Sequence, residues 1–131
     1  MNRNEILKCS ICGKTVEVLD TGSPNAPICC GEPMKAMPEQ TAEYKFEKHV
    51  PYPEALPGQG GFRVLVGKET DHPMTEGHHI EWIEVQDGSC VIRKYLAPGE
   101  VPRCDFAMPL RPGLVIREFC NLHGLWKYEV R

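Results

Sequence analysis

The sequence predicts an all-β protein in two parts: a small metal-stabilised domain followed by a larger β-sandwich or barrel. Three observations carry this. Short β-rich runs recur at roughly 8–12-residue spacing between turn signals, the pattern of a sandwich or barrel. Four of the seven cysteines (Cys9, Cys12, Cys29 and Cys30) fall in the first 30 residues, while all five histidines come later. Prolines at 98, 102, 109 and 112 punctuate the later loops and discourage long helices.

Taken in order, residues 1–37 form the first domain, and a segment that short rarely folds without a metal, a disulfide or a partner. Lys35–Ala42 is polar and contains Pro38, which reads as a linker, with the boundary near Met37. In residues 38–131, Phe62–Val66 is a short strand after the Pro57–Gly61 turn region. His79–Val85 and Cys90–Leu96 flank Asp87-Gly88, a hairpin signature. Leu114–Phe119 and Leu125–Val130 make a final pair joined through residues 120–124.

Composition excludes several classes. No apolar stretch approaches the ~18 residues that a membrane span needs, and the N-terminal residues lack an apolar signal-peptide core, so no membrane association and no export by that route is expected. A net charge of −3 argues against general nucleic-acid binding. An odd cysteine count cannot be fully paired internally. In a reducing cytoplasm, clustered cysteines more often hold metal.

Cys9-x-x-Cys12-Gly13, followed after sixteen residues by Cys29-Cys30-Gly31, supplies four thiolates, a set suited to tetrahedral zinc or iron. Adjacent residues on an extended strand face opposite ways, so Cys29 and Cys30 can reach one ion only if the chain kinks. Spacing leaves both a structural zinc ribbon and a rubredoxin-like Fe(Cys)4 electron carrier open. Zinc ribbons repeat a two-residue gap in their second half, which this chain lacks. His49, His72, His78, Cys120 and His123 form a second set at loops or strand ends. Each histidine alone reads as a surface residue, and periodicity does not choose between His78 and His79.

Together these residues carry a resemblance. Cys9-Ser10-Ile11-Cys12-Gly13 with Cys29-Cys30-Gly31, Glu47-Lys48-His49-Val50-Pro51, His72-Pro73-Met74, His78-His79-Ile80-Glu81-Trp82-Ile83 and Cys120-Asn121-Leu122-His123-Gly124-Leu125-Trp126-Lys127 resemble desulfoferrodoxin, the two-iron form of superoxide reductase, in the family's order over nearly the whole chain. The resemblance implies a desulforedoxin-like domain with Fe(Cys)4 on Cys9, Cys12, Cys29 and Cys30. It implies next an immunoglobulin-like β domain with a catalytic iron, His49, His72, His78 and His123 equatorial and Cys120 axial. The family register selects His78 over His79. Glu47 matches the carboxylate that can take the sixth position of the oxidised iron, and Lys48 the lysine beside the open position. The implied reaction is one-electron reduction of superoxide to hydrogen peroxide, with electrons from rubredoxin or a similar donor, in a cytoplasmic homodimer.

Such chemistry suits the residues. Five protein ligands on an octahedral ion leave one position for a small oxidant, and a thiolate opposite it pushes electron density toward that position. Superoxide is anionic and the chain is net negative, so a local cation must guide it, and Lys48 is the natural source. Cys90 and Cys104 match no metal position and read as small core or semi-buried residues; a disulfide between them is disfavoured in a reducing compartment. Trp82 and Trp126 read as core residues of the β domain. A non-catalytic iron electron-transfer protein and a structural zinc protein are the competing classes, and visible absorption with metal analysis separates all three.

Overall fold

Residues 1–41 and 49–131 are described by the computed structural model, and they form strands, turns and loops with no helix. The all-β expectation holds. Two compact units are present, Met1–Pro38 and Glu39–Arg131.

In the first unit, β1 (Ile6–Lys8), β2 (Thr15–Glu17) and β5 (Lys35–Ala36) form an antiparallel sheet in the order β2-β1-β5, and β3 (Ile28–Cys29) pairs with β4 (Glu32–Pro33). Its core is minimal: Leu7, Cys9 and Met34, with Met1, Val16, Val18 and Cys29 packed partly against them. Lys35–Ala42 is therefore not a linker throughout, because Lys35 and Ala36 pair with Lys8 and Leu7. The buried Met34 anchors this turn of chain, and a local reading of polarity could not see it.

The second unit is a sandwich. Strands β6 (Pro51–Leu56), β7 (Gly61–Val66) and β10 (Arg103–Phe106) form a three-stranded sheet in the order β10-β7-β6. Strands β8 (Ile80–Asp87), β9 (Cys90–Tyr95), β11 (Val115–Cys120) and β12 (Gly124–Glu129) form a four-stranded sheet in the order β12-β11-β8-β9. In β7, burial alternates so that Phe62, Val64 and Val66 point inward, the period of a strand with one covered face. They meet Ile80, Ile83, Val85 and Ile116 of the facing sheet in one apolar cluster. Each such fully buried side chain contributes about 1.5–3 kcal/mol relative to exposure. The β8–β9 hairpin closes on the Asp87↔Cys90 pair, next to the Gly88 turn that the sequence predicts. Strand β6 carries Pro51 and Pro53 and gives no strand signal by itself. It forms because it lies at a sheet edge, where a residue without an N–H leaves no ladder partner unmet.

Two departures concern the four-stranded sheet. Cys104 is buried, as expected, and burial pushes its thiol up to about 11, whereas Cys90 is exposed beside the hairpin turn rather than semi-buried. The side of β8 and β11 turned away from the apolar cluster holds charge. Fully buried Glu84 accepts hydrogen bonds from Arg117 Nε at 2.7 Å, Gln86 Nε2 at 2.9 Å and Arg93 Nε at 3.0 Å. Arg117 also donates to Glu39 at 3.3 Å, and Arg93 lies 4.6 Å over the Trp82 ring. Trp82 is thus buried as expected, but its face carries a cation.

Candidate metal centres

The small unit brings the four early cysteines together. A turn after β1 has Gly13 N–H donating to the Cys9 carbonyl at 3.0 Å, which curls Cys12 back toward Cys9. The second turn contains the kink that adjacent cysteines require: Cys30 adopts φ 53°, a left-handed conformation costly for a residue with a Cβ. All four sulfurs lie within 4.8 Å of one another. Cys12 N–H approaches Cys9 Sγ at 3.4 Å, and the backbone N–H groups of Cys12 and Ile11 hold the Cys9 thiol down to about 6. Cys29 is pushed up to about 12, chiefly by its contact with the Cys12 sulfur, and Cys30 is raised for the same first reason. Four sulfurs this close cannot all ionise unless a cation sits among them. The donor set therefore fits a bound metal, and thiolates suit zinc or iron.

In the large unit, residues from three separate segments converge. His49 precedes β6, His72 and His78 lie in the β7–β8 loop, and Cys120 and His123 bracket the β11–β12 turn. The ligand atoms of His49, His72, Cys120 and His123 all lie within 4.8 Å of one another. His78 closes a ring of four imidazoles: centroids are 4.6 Å apart for His49–His72, 4.7 Å for His72–His78, 4.9 Å for His78–His123 and 4.7 Å for His49–His123. Cys120 Sγ stands 3.7 Å from His72 Nε2 and 3.9 Å from His123 Nδ1. Because His72 Nδ1 donates to the Pro73 carbonyl at 2.8 Å, Nε2 is left with its lone pair toward the sulfur. A carbonyl fixing the far ring nitrogen is the usual companion of a metal-binding imidazole. Cys120, His49 and His72 are buried and His123 is exposed, so the ring has a sheltered side and a side toward solvent. Imidazoles with one thiolate suit iron or copper.

Gly67 makes the His72 position possible. It has φ +85°, and a Cβ built there would lie 2.1 Å from the Thr70 carbonyl oxygen and 2.7 Å from the His72 nitrogen. His79 is held differently from His78: its backbone N–H donates to Asn121 Oδ1 at 2.9 Å. Glu47 and Lys48 lie outside the described residues.

Three neighbours have roles at the site beyond those the sequence suggests; Trp126 is buried, as its reading as a core residue expects. Trp126 stacks on His49, with centroids 4.8 Å apart and planes 15° apart, and donates Nε1–H to the His123 carbonyl at 3.1 Å. Gln40 donates Nε2–H to that same carbonyl at 2.8 Å and pairs with Trp126 in an isolated bridge. Asn121 is the third, through its bond to the His79 N–H. Their polar groups act on backbone atoms, so no spacing rule could have found them.

Comparison with known proteins follows the same division. Residues 41–129 match the Desulfoferrodoxin family and residues 1–37 match Desulfoferrodoxin, N-terminal domain. The chain belongs to the desulfoferrodoxin family. Desulfoferrodoxin of Nitratidesulfovibrio vulgaris is 46% identical over 128 residues, covering 98% of each chain. A desulfoferrodoxin homologue of Methanothermobacter thermautotrophicus is 43% identical over 123 residues, covering 94% of this chain and 96% of that one. Among solved structures, superoxide reductase from Treponema pallidum superposes with a TM-score of 0.74 at 26% identity, over 95% of this chain and 97% of that one. A neelaredoxin-type superoxide reductase from Archaeoglobus fulgidus gives 0.57 at 35% identity, over 70% of this chain and 94% of that one. With this desulfoferrodoxin membership, the two donor sets are consistent with two iron centres.

Proposed function

We propose that this protein is a superoxide reductase whose second domain, residues 38–131, reduces superoxide by one electron to hydrogen peroxide. Residues 1–37 would serve as the accessory Fe(Cys)4 domain. The observation that carries the reading is the ring of four imidazoles over a buried thiol, in a chain of the desulfoferrodoxin family. His49, His72, His78, His123 and Cys120 would hold the catalytic iron, and Cys9, Cys12, Cys29 and Cys30 the second one. Iron at the first position supplies a single electron when bound.

The balance is one superoxide, one electron and two protons giving one hydrogen peroxide. Each group of the chain has a part in it. Cys120, sheltered from water, keeps its sulfur as a strongly donating anion once paired with a cation. His72, with Nδ1–H fixed on Pro73, presents Nε2 in one tautomer. The exposed His123 side lets water bring protons. Lys48 would draw the anion in against the net charge of −3, and Glu47 would close the vacant position after turnover. The electron would come from rubredoxin or a similar donor, in a cytoplasmic homodimer.

Peroxide yield tests this. With the iron reduced beforehand, a reductase gives one peroxide per superoxide consumed, whereas dismutation gives half as much. Two irons per chain and unit yield are expected. Iron without any reaction with superoxide would leave an electron carrier, and zinc at both sites a structural protein.

A further inference from the structure

The loop that carries His78 and the turn that carries Cys120 and His123 belong to different strand connections, yet one side chain ties them. Asn121 Oδ1 accepts the His79 N–H at 2.9 Å, and Asn121 Nδ2 donates to the Gly77 carbonyl at 3.0 Å. Its own backbone N–H donates to the His79 carbonyl at 3.2 Å. The amide thus grips the peptide groups on both sides of His78. From the other direction, Thr75 holds His78 itself: the His78 N–H donates to Thr75 Oγ1 at 3.2 Å, and the Thr75 N–H donates to the His78 carbonyl at 2.9 Å. The β-bulge between Phe119 and Cys120 shifts the β11–β8 register just before this point, so the sheet ladder alone does not dictate where residue 78 sits relative to residue 120.

We infer that Asn121 is a positioning residue that sets His78 against Cys120 and so completes the ring of donors. This rests on the metal-site reading above. The side chain acts through backbone atoms that flank a donor ring. His78 is also the donor most in need of such a device, since it joins the others by ring contacts while the remaining three histidines and Cys120 already bring their ligand atoms within 4.8 Å. A loop fastener with a purely structural role would affect stability alone. A positioning role also changes how tightly the second centre keeps its iron and what its thiolate absorbs.

The test uses the full-length iron-loaded protein and the variants Asn121→Ala and Asn121→Ser. Loss of ferrous iron from the histidine centre to a chelator should be roughly 10–100-fold faster than in wild type, the usual consequence of removing an outer partner of a metal ligand. The Cys120 thiolate-to-iron band should shift, amide exchange at His79 should quicken, and the Fe(Cys)4 bands should stay as they are. Asn121→Ser retains a small polar group and reads the same quantities where the alanine variant folds poorly, with amide protection in β8 and β11 as the check on folding. Iron retention and a thiolate band equal to wild type would overturn the inference, whether or not the melting temperature falls. Failure of the wild-type histidine centre to hold iron would instead overturn the metal-site reading itself.

Discussion

The cysteines of the small unit come from two turns, and one of them reaches its interior: Cys9 is one of the three residues of its buried core, while Cys12 and Cys30 are exposed. The donors of the large unit come from three segments at one end of a sandwich whose interior is built mainly from Phe62, Val64, Val66, Ile80, Ile83, Val85, Phe106 and Ile116. Only Cys120 among those donors belongs to that cluster. The difference teaches what each metal does for its unit. In the first, Cys9 is both donor and core and the rest of the buried core is only Leu7 and Met34, so metal and fold should stand or fall together. In the second, the core is built almost wholly from other residues, so the fold should stand without the metal and supply the site with a frame.

Chelation should expose this contrast most strongly. Structural cysteine sites contribute on the order of 10 kcal/mol of folding free energy, far more than three buried residues can replace. Stripped of metal, Met1–Pro38 should lose its slowly exchanging amides while β8 and β11 keep theirs. Equal loss in both units would erase the distinction.

Next in size is the buried charge network. Glu84→Ala removes the buried carboxylate that Arg117 and Arg93 share, and breaking such a buried pair costs about 3–5 kcal/mol. Denaturant unfolding of the large unit should show that loss, while both metal centres keep their spectra under native conditions. A change below roughly 1 kcal/mol would mean that the network behaves as a surface pair.

Gly67→Ala sharpens the comparison from the opposite side, because it should harm the site more than the frame. The new Cβ cannot coexist with the Thr70 carbonyl, and φ +85° adds strain of about 1–3 kcal/mol. Displacement of His72 should deplete the histidine centre of iron and leave the Fe(Cys)4 bands intact. Full iron loading would show that the His72 loop has slack.

How much of this was legible in the sequence follows the same line. Cys9, Cys12, Cys29 and Cys30 were readable because local spacing encodes their geometry, down to the kink that appears at Cys30. Strands β7, β8, β9, β11 and β12 were readable as β-rich runs between turn signals, with the Asp87-Gly88 turn fixing one hairpin. Strand β6 was not, because two prolines mask a strand that only its edge position permits, and β5 was not, because Met34 anchors it through contacts distant in sequence. The convergence of His49, His72, His78 and His123 is a property of topology; only resemblance to a family supplied it. Gly67, Gln40 and Asn121 remained silent, and Trp126 was legible only as a core residue, because their roles at the site work on backbone groups or by close approach.

Lys48→Ile gives the smallest effect expected. The second-order reaction with superoxide should slow on the order of ten-fold, with weaker dependence on ionic strength, since steering by a charge is screened by salt. Wild-type rate and salt dependence together would remove Lys48 from the approach of the anion.

Central to the account is that the histidine and cysteine centre of the large unit performs the chemistry without the small unit's metal. A single-turnover superoxide pulse on Cys12→Ser protein, with iron loaded and reduced at the histidine centre, measures this directly. The account predicts disappearance of the Fe(Cys)4 bands and a superoxide reaction at the wild-type rate with unit peroxide yield. Loss of that reaction while the histidine centre still holds reduced iron would contradict it.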